Sequence, residues 1–331
     1  MENKLFKSFE VRENSDKSYS GSFIEKRISD LPEGEVLIQV KYSTLNYKDA
    51  LVYKGHKGIA RSYPFTPGVD ASGIVVESST ENFQIGNKVL ITGYDLGMNT
   101  SGGFQEFIRV PAKWIIPLPA GLNLKEAMVY GTAGFTSALA IHKLQINGVL
   151  PGIGKVLVTG ATGGVGVCSI AILKTLGYEV IASTGKPEMT DFLHQIGAGE
   201  IVSREDILDS SSRPLLGRRW KGVIENVGGE TLSSVAKATD KGGAIAVIGI
   251  IAGDSISTTL YPFILRGLAL IGIESAETDY SLRSELWRKL SNEWKIADFE
   301  IISREIEFEQ IPIELEKMLK GEQSKKIVVR I

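Results

Sequence analysis

Four of the nine residues in Val158-Thr159-Gly160-Ala161-Thr162-Gly163-Gly164-Val165-Gly166 are glycine, and the run joins an apolar strand-like segment to an apolar helix-like one. Glycine lets a backbone turn tightly and lie against a phosphate, and the amides that open a helix carry the partial positive charge to hold it. The spacing matches a G-x-G-x-x-G dinucleotide fingerprint with Ala161 in the first glycine place and Gly163 and Gly166 in the other two. Thr162, Gly163, Gly164, Val165 and Gly166 are thus the candidate cradle for a diphosphate. An NAD site needs an acidic residue about 20 residues further on, to hold the ribose diol. This chain has Ser183-Thr184-Gly185-Lys186 there. Hydroxyls and an ammonium suit a 2′-phosphate, which a carboxylate repels, and Arg204 after the third strand-like run adds a second cation. The residues predict NADP(H).

A second group of residues has the chemistry to work on a substrate. In Asn46-Tyr47-Lys48-Asp49 the Tyr47 phenol can orient a carbonyl or protonate a developing enolate, and Asn46 can hydrogen-bond an oxygen. Asp49 can hold the loop through backbone bonds. Tyr130-Gly131-Thr132-Ala133-Gly134-Phe135-Thr136-Ser137 offers small residues for close approach of a nicotinamide ring at the expected interdomain hinge. Glu225-Asn226-Val227-Gly228-Gly229 and Ile248-Gly249-Ile250 end two strand-like runs, on the edge where ligands of open α/β sheets lie. Cys168, the single cysteine, sits between apolar neighbours and reads as buried, and His56, His142 and His194 have no partner motif. One cysteine and three scattered histidines exclude a disulfide framework and a cysteine-rich zinc site.

The elements that must position these residues change character along the chain. From Glu10 to about Ala120, short β-rich runs such as Val36–Val40, Gly73–Val76 and Val89–Ile91 alternate with Gly, Pro, Asn and Asp, which predicts a compact β-rich domain. Beyond Pro151, nearly all-apolar strands alternate with helices, which predicts a parallel sheet covered on both faces. The expected division is 1–124, completed by 298–331, and 125–297. The acidic stretch from Glu305 to Glu316 reads as a solvated face, and Gly217-Arg218-Arg219-Trp220-Lys221 as a solvated loop. With 331 residues, 43% hydrophobic, 23% charged and a net charge of −2, the chain suits a soluble two-domain protein with no pull toward nucleic acid or an anionic membrane. Its first residues lack the apolar core of a signal peptide, so a cytoplasmic location is expected.

Taken together, the β-rich first half, T-G-A-T-G-G-V-G and the strand-like C-terminus resemble the medium-chain dehydrogenase/reductase superfamily. Asn46-Tyr47-Lys48-Asp49, Tyr130 to Thr136, Ser203-Arg204-Glu205-Asp206 and Tyr261-Pro262-Phe263-Ile264-Leu265-Arg266-Gly267 are similar to the YhdH/YhfP quinone oxidoreductases, a family that includes NADPH-dependent acryloyl-CoA reductases. The resemblance covers essentially the whole chain. It implies an α/β protein built of a GroES-like β-rich catalytic domain and a Rossmann doubly wound parallel-sheet domain. It implies NADP(H) contacts at Tyr47, Gly163 to Gly166, Thr184 to Lys186, Arg204, Ile250, Ile264 and Ser275, with one more near Gly321. Catalysis would fall to Tyr47 and Asn46, with hydride passed to the β-carbon of an unsaturated thioester and the enolate protonated afterwards. Quinone reduction is the alternative, and non-catalytic NADPH binding a third. Zinc members carry a cysteine ligand near the first motif and Gly-His-Glu where this chain has Gly68-Val69-Asp70, so the resemblance implies a zinc-independent branch. Glu225 stands where many relatives have Asp, and Lys186 where some have Arg. Lys48, Lys57, Arg61 and Arg266 are the cations available to a CoA thioester. A homodimer is implied, with the apolar run Leu268 to Ile273 as an exposed sheet edge.

Overall fold

A computed structural model describes residues 3–331. The chain opens with β1 (Leu5–Glu13), β2 (Tyr19–Arg27), β3 (Val36–Thr44) and α1 (Tyr47–Tyr53). It continues through β4 (Asp70–Ser78), β5 (Lys88–Thr92), β6 (Phe107–Val110), β7 (Ile116–Pro117) and α2 (Leu124–Ile146). Then come β8 (Val156–Val158), α3 (Gly164–Thr175), β9 (Val180–Ser183), α4 (Thr190–Ile196) and β10 (Glu200–Val202). These lead to β11 (Trp220–Glu225), α5 (Gly229–Ala238), β12 (Thr239–Val247), α6 (Tyr261–Arg266) and β13 (Ala269–Gly272). The last elements are α7 (Tyr280–Ser291), α8 (Phe299–Ile302), β14 (Ser303–Glu307), α9 (Ile311–Leu319) and β15 (Lys326–Arg330).

The described residues form two units. The first holds the chain up to Thr132 together with Ala276–Ser291 and Ser303–Ile331, and the second holds Ala133–Ser275 and Asn292–Ile302. The division falls at Thr132, later than residue 124, and α7 joins the first unit. Side chains explain both differences. The Arg283 guanidinium donates to the carbonyl oxygens of Thr92 at 2.7 Å and Ala276 at 2.8 Å and lies 4.5 Å from the Tyr94 ring centroid. Tyr130 packs edge-on against Trp287 and donates its hydroxyl to the Leu290 carbonyl at 3.1 Å.

The first unit is built on a sheet of order β14-β15-β3-β4-β5-β7, with β6 also paired to β3. Alternate residues of β3, Val36, Ile38 and Val40, pack with Val75, Val89, Ile91 and Ile108, while Leu37 faces Phe6 and Phe107 on the other side. That period of two makes the run a strand buried on both faces. The C-terminal β15 runs antiparallel to β3 with Val328 opposite Thr44. The acidic stretch is not the solvated face its composition predicts. Ile306, Phe308, Ile311 and Leu315 enter the core, and the buried Glu314 carboxylate is held by Arg304 at 2.6 Å and Lys317 at 2.9 Å.

The second unit is a parallel sheet of order β10-β9-β8-β11-β12-β13, the doubly wound arrangement. Val156, Leu157 and Val158 are fully buried because helices cover both sides. α3 buries an unbroken run from Gly166 to Leu173, as a helix apolar all round must. Trp220 corrects the reading of 217–221 as a solvated loop: it is buried at the start of β11 and donates its indole N–H to Thr239 Oγ1 at 3.1 Å. Among the described residues no helix is long and apolar enough to cross a membrane.

Candidate active site

In the first unit, β3 ends at Thr44 and the chain turns through Leu45 and Asn46 into α1, whose first residue is Tyr47. Tyr47 is 50% exposed, so its phenol is free to meet a ligand. Asp49, wholly buried, holds this turn in place. One carboxylate oxygen accepts the Asn46 backbone N–H at 2.8 Å, and the other accepts those of Gly68 at 3.0 Å and Val69 at 3.1 Å. The loop-holding role expected of Asp49 is thus carried by three backbone donors from two segments.

Burial pushes the Asp49 carboxyl from an ordinary 3.8 up to about 7, against the downward pull of the Asn46, Val69 and Gly68 amides and with the neighbouring Asp70 adding to the rise. The folded chain then keeps a proton that the unfolded chain releases between about pH 4 and pH 7, so this group's contribution to stability falls as pH rises through that window and is flat above it. The effect reaches a few kcal/mol at most. Urea denaturation of wild type and Asp49→Asn checks it: the stability advantage of wild type should be largest near pH 4.5 and shrink toward pH 7. An advantage that does not change with pH counts against this assignment.

Asn46 turns inward. Its Nδ2 donates to Asp70 Oδ2 at 2.7 Å and to the Thr44 carbonyl at 3.4 Å. Asp70 also accepts the Thr132 backbone N–H and, at 2.6 Å, the Thr132 hydroxyl. The small-residue run expected to precede a helix lies inside α2, which kinks at Gly131 (φ 50°, ψ −155°). A Cβ at Gly131 would stand 2.6 Å from Thr44 Cγ2 and 2.7 Å from Asp70 Oδ2. Only glycine fits there, and the kink directs the Thr132 amide at the carboxylate. Lys326 was not singled out from the sequence, and Asp70 and Thr132 stood there only within longer motifs, because none of the three shows its partners until the sheet and the kink in α2 bring them together.

In the second unit the fingerprint forms the turn its spacing predicts. Gly163 caps α3, which starts at Gly164, and Ala161 is buried with its N–H on the Ser183 carbonyl at 3.1 Å. A Cβ on Gly166 would meet Gly160 O at 2.5 Å and Ala161 Cα at 2.7 Å, so the helix and the turn close on one another only over glycine. Thr162, Gly164 and Val165 occupy the same turn and first helical residues. The turn is locked to the end of β11. Thr159 Oγ1 donates to the buried Glu225 at 2.9 Å, the Asn226 N–H donates to Thr159 Oγ1 at 2.9 Å, and Asn226 Nδ2 donates to the Thr159 carbonyl at 2.8 Å. Asn226 Oδ1 is buried with no hydrogen-bond partner in the described structure. Such an acceptor costs about 1–3 kcal/mol unless something donates to it.

The expected phosphate residues come together. β9 and β10 pair with Ser183 beside Val202, and the Thr184 N–H donates to the Val202 carbonyl at 3.2 Å. Arg204 then lies directly against Gly185, where a Cβ would meet its Nε at 2.7 Å. The Lys186 N–H is held by Thr184 Oγ1 at 3.0 Å. Two cations and two hydroxyls on one loop cluster, a turn that tolerates no Cβ at Gly166 and an orphan acceptor at Asn226 together fit a phosphorylated dinucleotide. Ile250 lies against Gly228, Ile264 is 72% exposed on α6, and Ser275 accepts the Thr136 hydroxyl at 2.8 Å. Arg266 is a correction: it is buried, and its guanidinium donates to the carbonyls of Lys237, Thr239 and Leu216. It ties down the end of α5 and is not a cation for a ligand. Among the described residues no three His, Cys, Asp or Glu side chains gather in a way that could hold a metal ion.

Residues 32–120 match the alcohol dehydrogenase GroES-like domain and residues 164–292 the zinc-binding dehydrogenase domain. The chain is 43% identical over 99% of both chains to YhfP of Bacillus subtilis (strain 168), grouped by name with the quinone oxidoreductases. The crystal structure of that protein with NAD bound superposes with a TM-score of 0.96, at 42% identity over 99% of this chain and 100% of that one. Identity is 41% over 92% of both chains with the acrylyl-CoA reductase AcuI of Ruegeria pomeroyi. The Salmonella enterica yhdH oxidoreductase in complex with NADP gives a TM-score of 0.94 at 36% identity, covering 98% of this chain and 99% of that one.

Proposed function

Because this chain belongs to the medium-chain dehydrogenase/reductase superfamily, among the YhfP and AcuI oxidoreductases, we propose that it is a zinc-independent, NADPH-dependent reductase of an activated C=C bond, with an acryloyl-CoA-type thioester as substrate. The observation that carries this reading is the likeness over 92% of both chains to an acrylyl-CoA reductase, supported by the cationic loop of Lys186 and Arg204. When bound, the dinucleotide supplies a hydride to the β-carbon of the thioester. The amides that open α3, Gly164 to Gly166, hold its diphosphate, and Thr162 and Gly163 form the turn against it, the Gly163 N–H being donated to the Gly160 carbonyl at 3.0 Å. Ser183, Thr184, Lys186 and Arg204 hold the 2′-phosphate, and Asn226 Oδ1 accepts a ribose hydroxyl. Ile250, Ile264 and Ser275 complete the cofactor contacts.

Tyr47 acts on the substrate. Its phenol donates toward the thioester oxygen as charge develops there, and the α-carbon takes its proton from Tyr47 or from a water. Both amide hydrogens of Asn46 point into the protein, so polarising the carbonyl falls to Tyr47 and backbone amides, while Asn46 sets the start of α1.

A quinone is the second reading, favoured by the name of YhfP. Following NADPH oxidation with acryloyl-CoA and with a benzoquinone separates the two. We expect turnover of the thioester at least tenfold more efficient, and turnover of quinone alone overturns the thioester assignment. We also propose a homodimer through β13, the last strand of its sheet, where Leu270 is exposed and Ile251, Leu260 and Leu265 nearby in sequence leave further apolar surface in solvent. Light scattering should return twice the 35.9 kDa chain mass; a monomer sinks the idea.

A further inference from the structure

Asp70, the first residue of β4, is fully buried below α1 and joins three distant parts of the first unit. It accepts Asn46 Nδ2 at 2.7 Å, the Thr132 N–H at 2.9 and 3.0 Å, and the Thr132 hydroxyl at 2.6 Å. A carboxylate taken wholly out of water needs a countercharge as well as donors. Lys326 offers one at longer range. The first residue of β15, it is 2% exposed, and the pairing of Val328 with Thr44 brings it, two residues earlier, level with Asn46. The two make no direct ion pair, and the buried ammonium lowers the Asp70 carboxyl through its charge alone.

We propose that Asp70 and Lys326 form a buried positioning pair for the chemistry at Tyr47: the carboxylate clamps the Asn46 amide and the Thr132 N–H and hydroxyl, the ammonium balances its charge, and the clamp sets the start of α1 and therefore the Tyr47 ring. This rests on the reading of Tyr47 as the residue that meets the substrate. The groups around Asp70 are Asn46 at the start of α1, Asp49 within α1, Thr132 on α2 and Lys326 on β15. Burial raises the Asp70 carboxyl, while Thr132, Lys326 and Asn46 lower it; Asp49 interacts with it as a like charge. Removing the ammonium leaves burial and Asp49 less opposed, so the carboxyl protonates at a higher pH. A protonated carboxyl no longer accepts all of these donors, and the clamp opens as pH falls.

The test uses the full chain carrying Asp70→Asn, Lys326→Met, Lys326→Arg and the double variant D70N/K326M, with Lys326→Gln where Met does not fold. Two readouts are taken across pH: kcat with whichever of thioester or quinone the wild type reduces, and the 19F signal of 3-fluorotyrosine in place of Tyr47. D70N should lose about tenfold in kcat with the NADPH KM within twofold. K326M should move the acid limb of kcat, and the matching 19F shift, upward by about one pH unit. K326R should restore both, and the double variant should lack the limb that K326M moves, keeping only the response of Asp49. A K326M profile that superimposes on wild type in both readouts, a D70N kcat within twofold of wild type, or a double variant that keeps the K326M limb overturns the pair. If the wild type reduces neither substrate, the functional reading has failed, and the fluorine titration decides the pair by itself.

Discussion

In the Lys186→Glu protein, kcat/KM for NADPH should fall by about two orders of magnitude while that for NADH stays within a few-fold. Lys186 sits on the loop after β9 with its own N–H anchored on Thr184 Oγ1, and Arg204 is packed against Gly185 beside it. A 2′-phosphate held there meets two cations. Exchanging one of them for a carboxylate replaces an attraction with a repulsion. Unit charges about 4 Å apart near a protein surface interact by ~1–4 kcal/mol, and a hundredfold loss corresponds to about 3 kcal/mol. NADH lacks the phosphate and is spared. Comparing the two cofactors at fixed substrate makes the measurement, and an unchanged NADPH/NADH ratio would remove Lys186 from the phosphate site. Arg204→Ala should move the ratio in the same direction, since Arg204 lies against the same loop.

Gly166→Val is expected to abolish tight dinucleotide binding, raising the NADPH Kd by a hundredfold or more. The added Cβ would lie 2.5 Å from Gly160 O and 2.7 Å from Ala161 Cα. Both are backbone atoms of the turn, which cannot swing aside as a side chain does. Either α3 slides away from the turn or the turn opens, and in both cases the amides that converge on a diphosphate are spread apart. Gly166→Ala should lie between wild type and valine. Gly217→Ala, where a Cβ meets nothing within 4 Å, should bind as wild type does. Fluorescence titration with NADPH, alongside circular dichroism to confirm folding, makes the comparison. A folded valine variant with wild-type affinity would mean that the turn does not hold the diphosphate.

Local features were legible from residue order. The β8 strand, the glycine turn and α3 lie within a continuous stretch, and a buried strand followed by glycines and an apolar helix admits few conformations. The absence of a carboxylate after β9 and the presence of Lys186 were equally plain, and the fold then placed Arg204 against the same loop. The burial of apolar runs and of Cys168 was legible, but the exposure of charged residues was not. Arg266 carries the same charge as Arg204, yet it is buried on the carbonyls of Lys237 and Thr239. The acidic run around Glu314 and the basic one around Trp220 both hide residues that the core takes in. Charge pattern reports what a side chain is and says nothing of which backbone it will meet.

What the amino-acid order determined by itself was therefore the two kinds of architecture, the glycine turn that opens α3 and the positive charge of the loop after β9, because each depends on residues close together along the chain. Tertiary structure alone decided the clamp under Tyr47. Asn46 and Asp70 are 24 positions apart, Asp70 and Thr132 a further 62, and Lys326 enters only when β15 pairs with β3. A hydrogen bond acts over about 3 Å, so such partners acquire meaning only once sheet pairing and the kink at Gly131 have brought them within that distance.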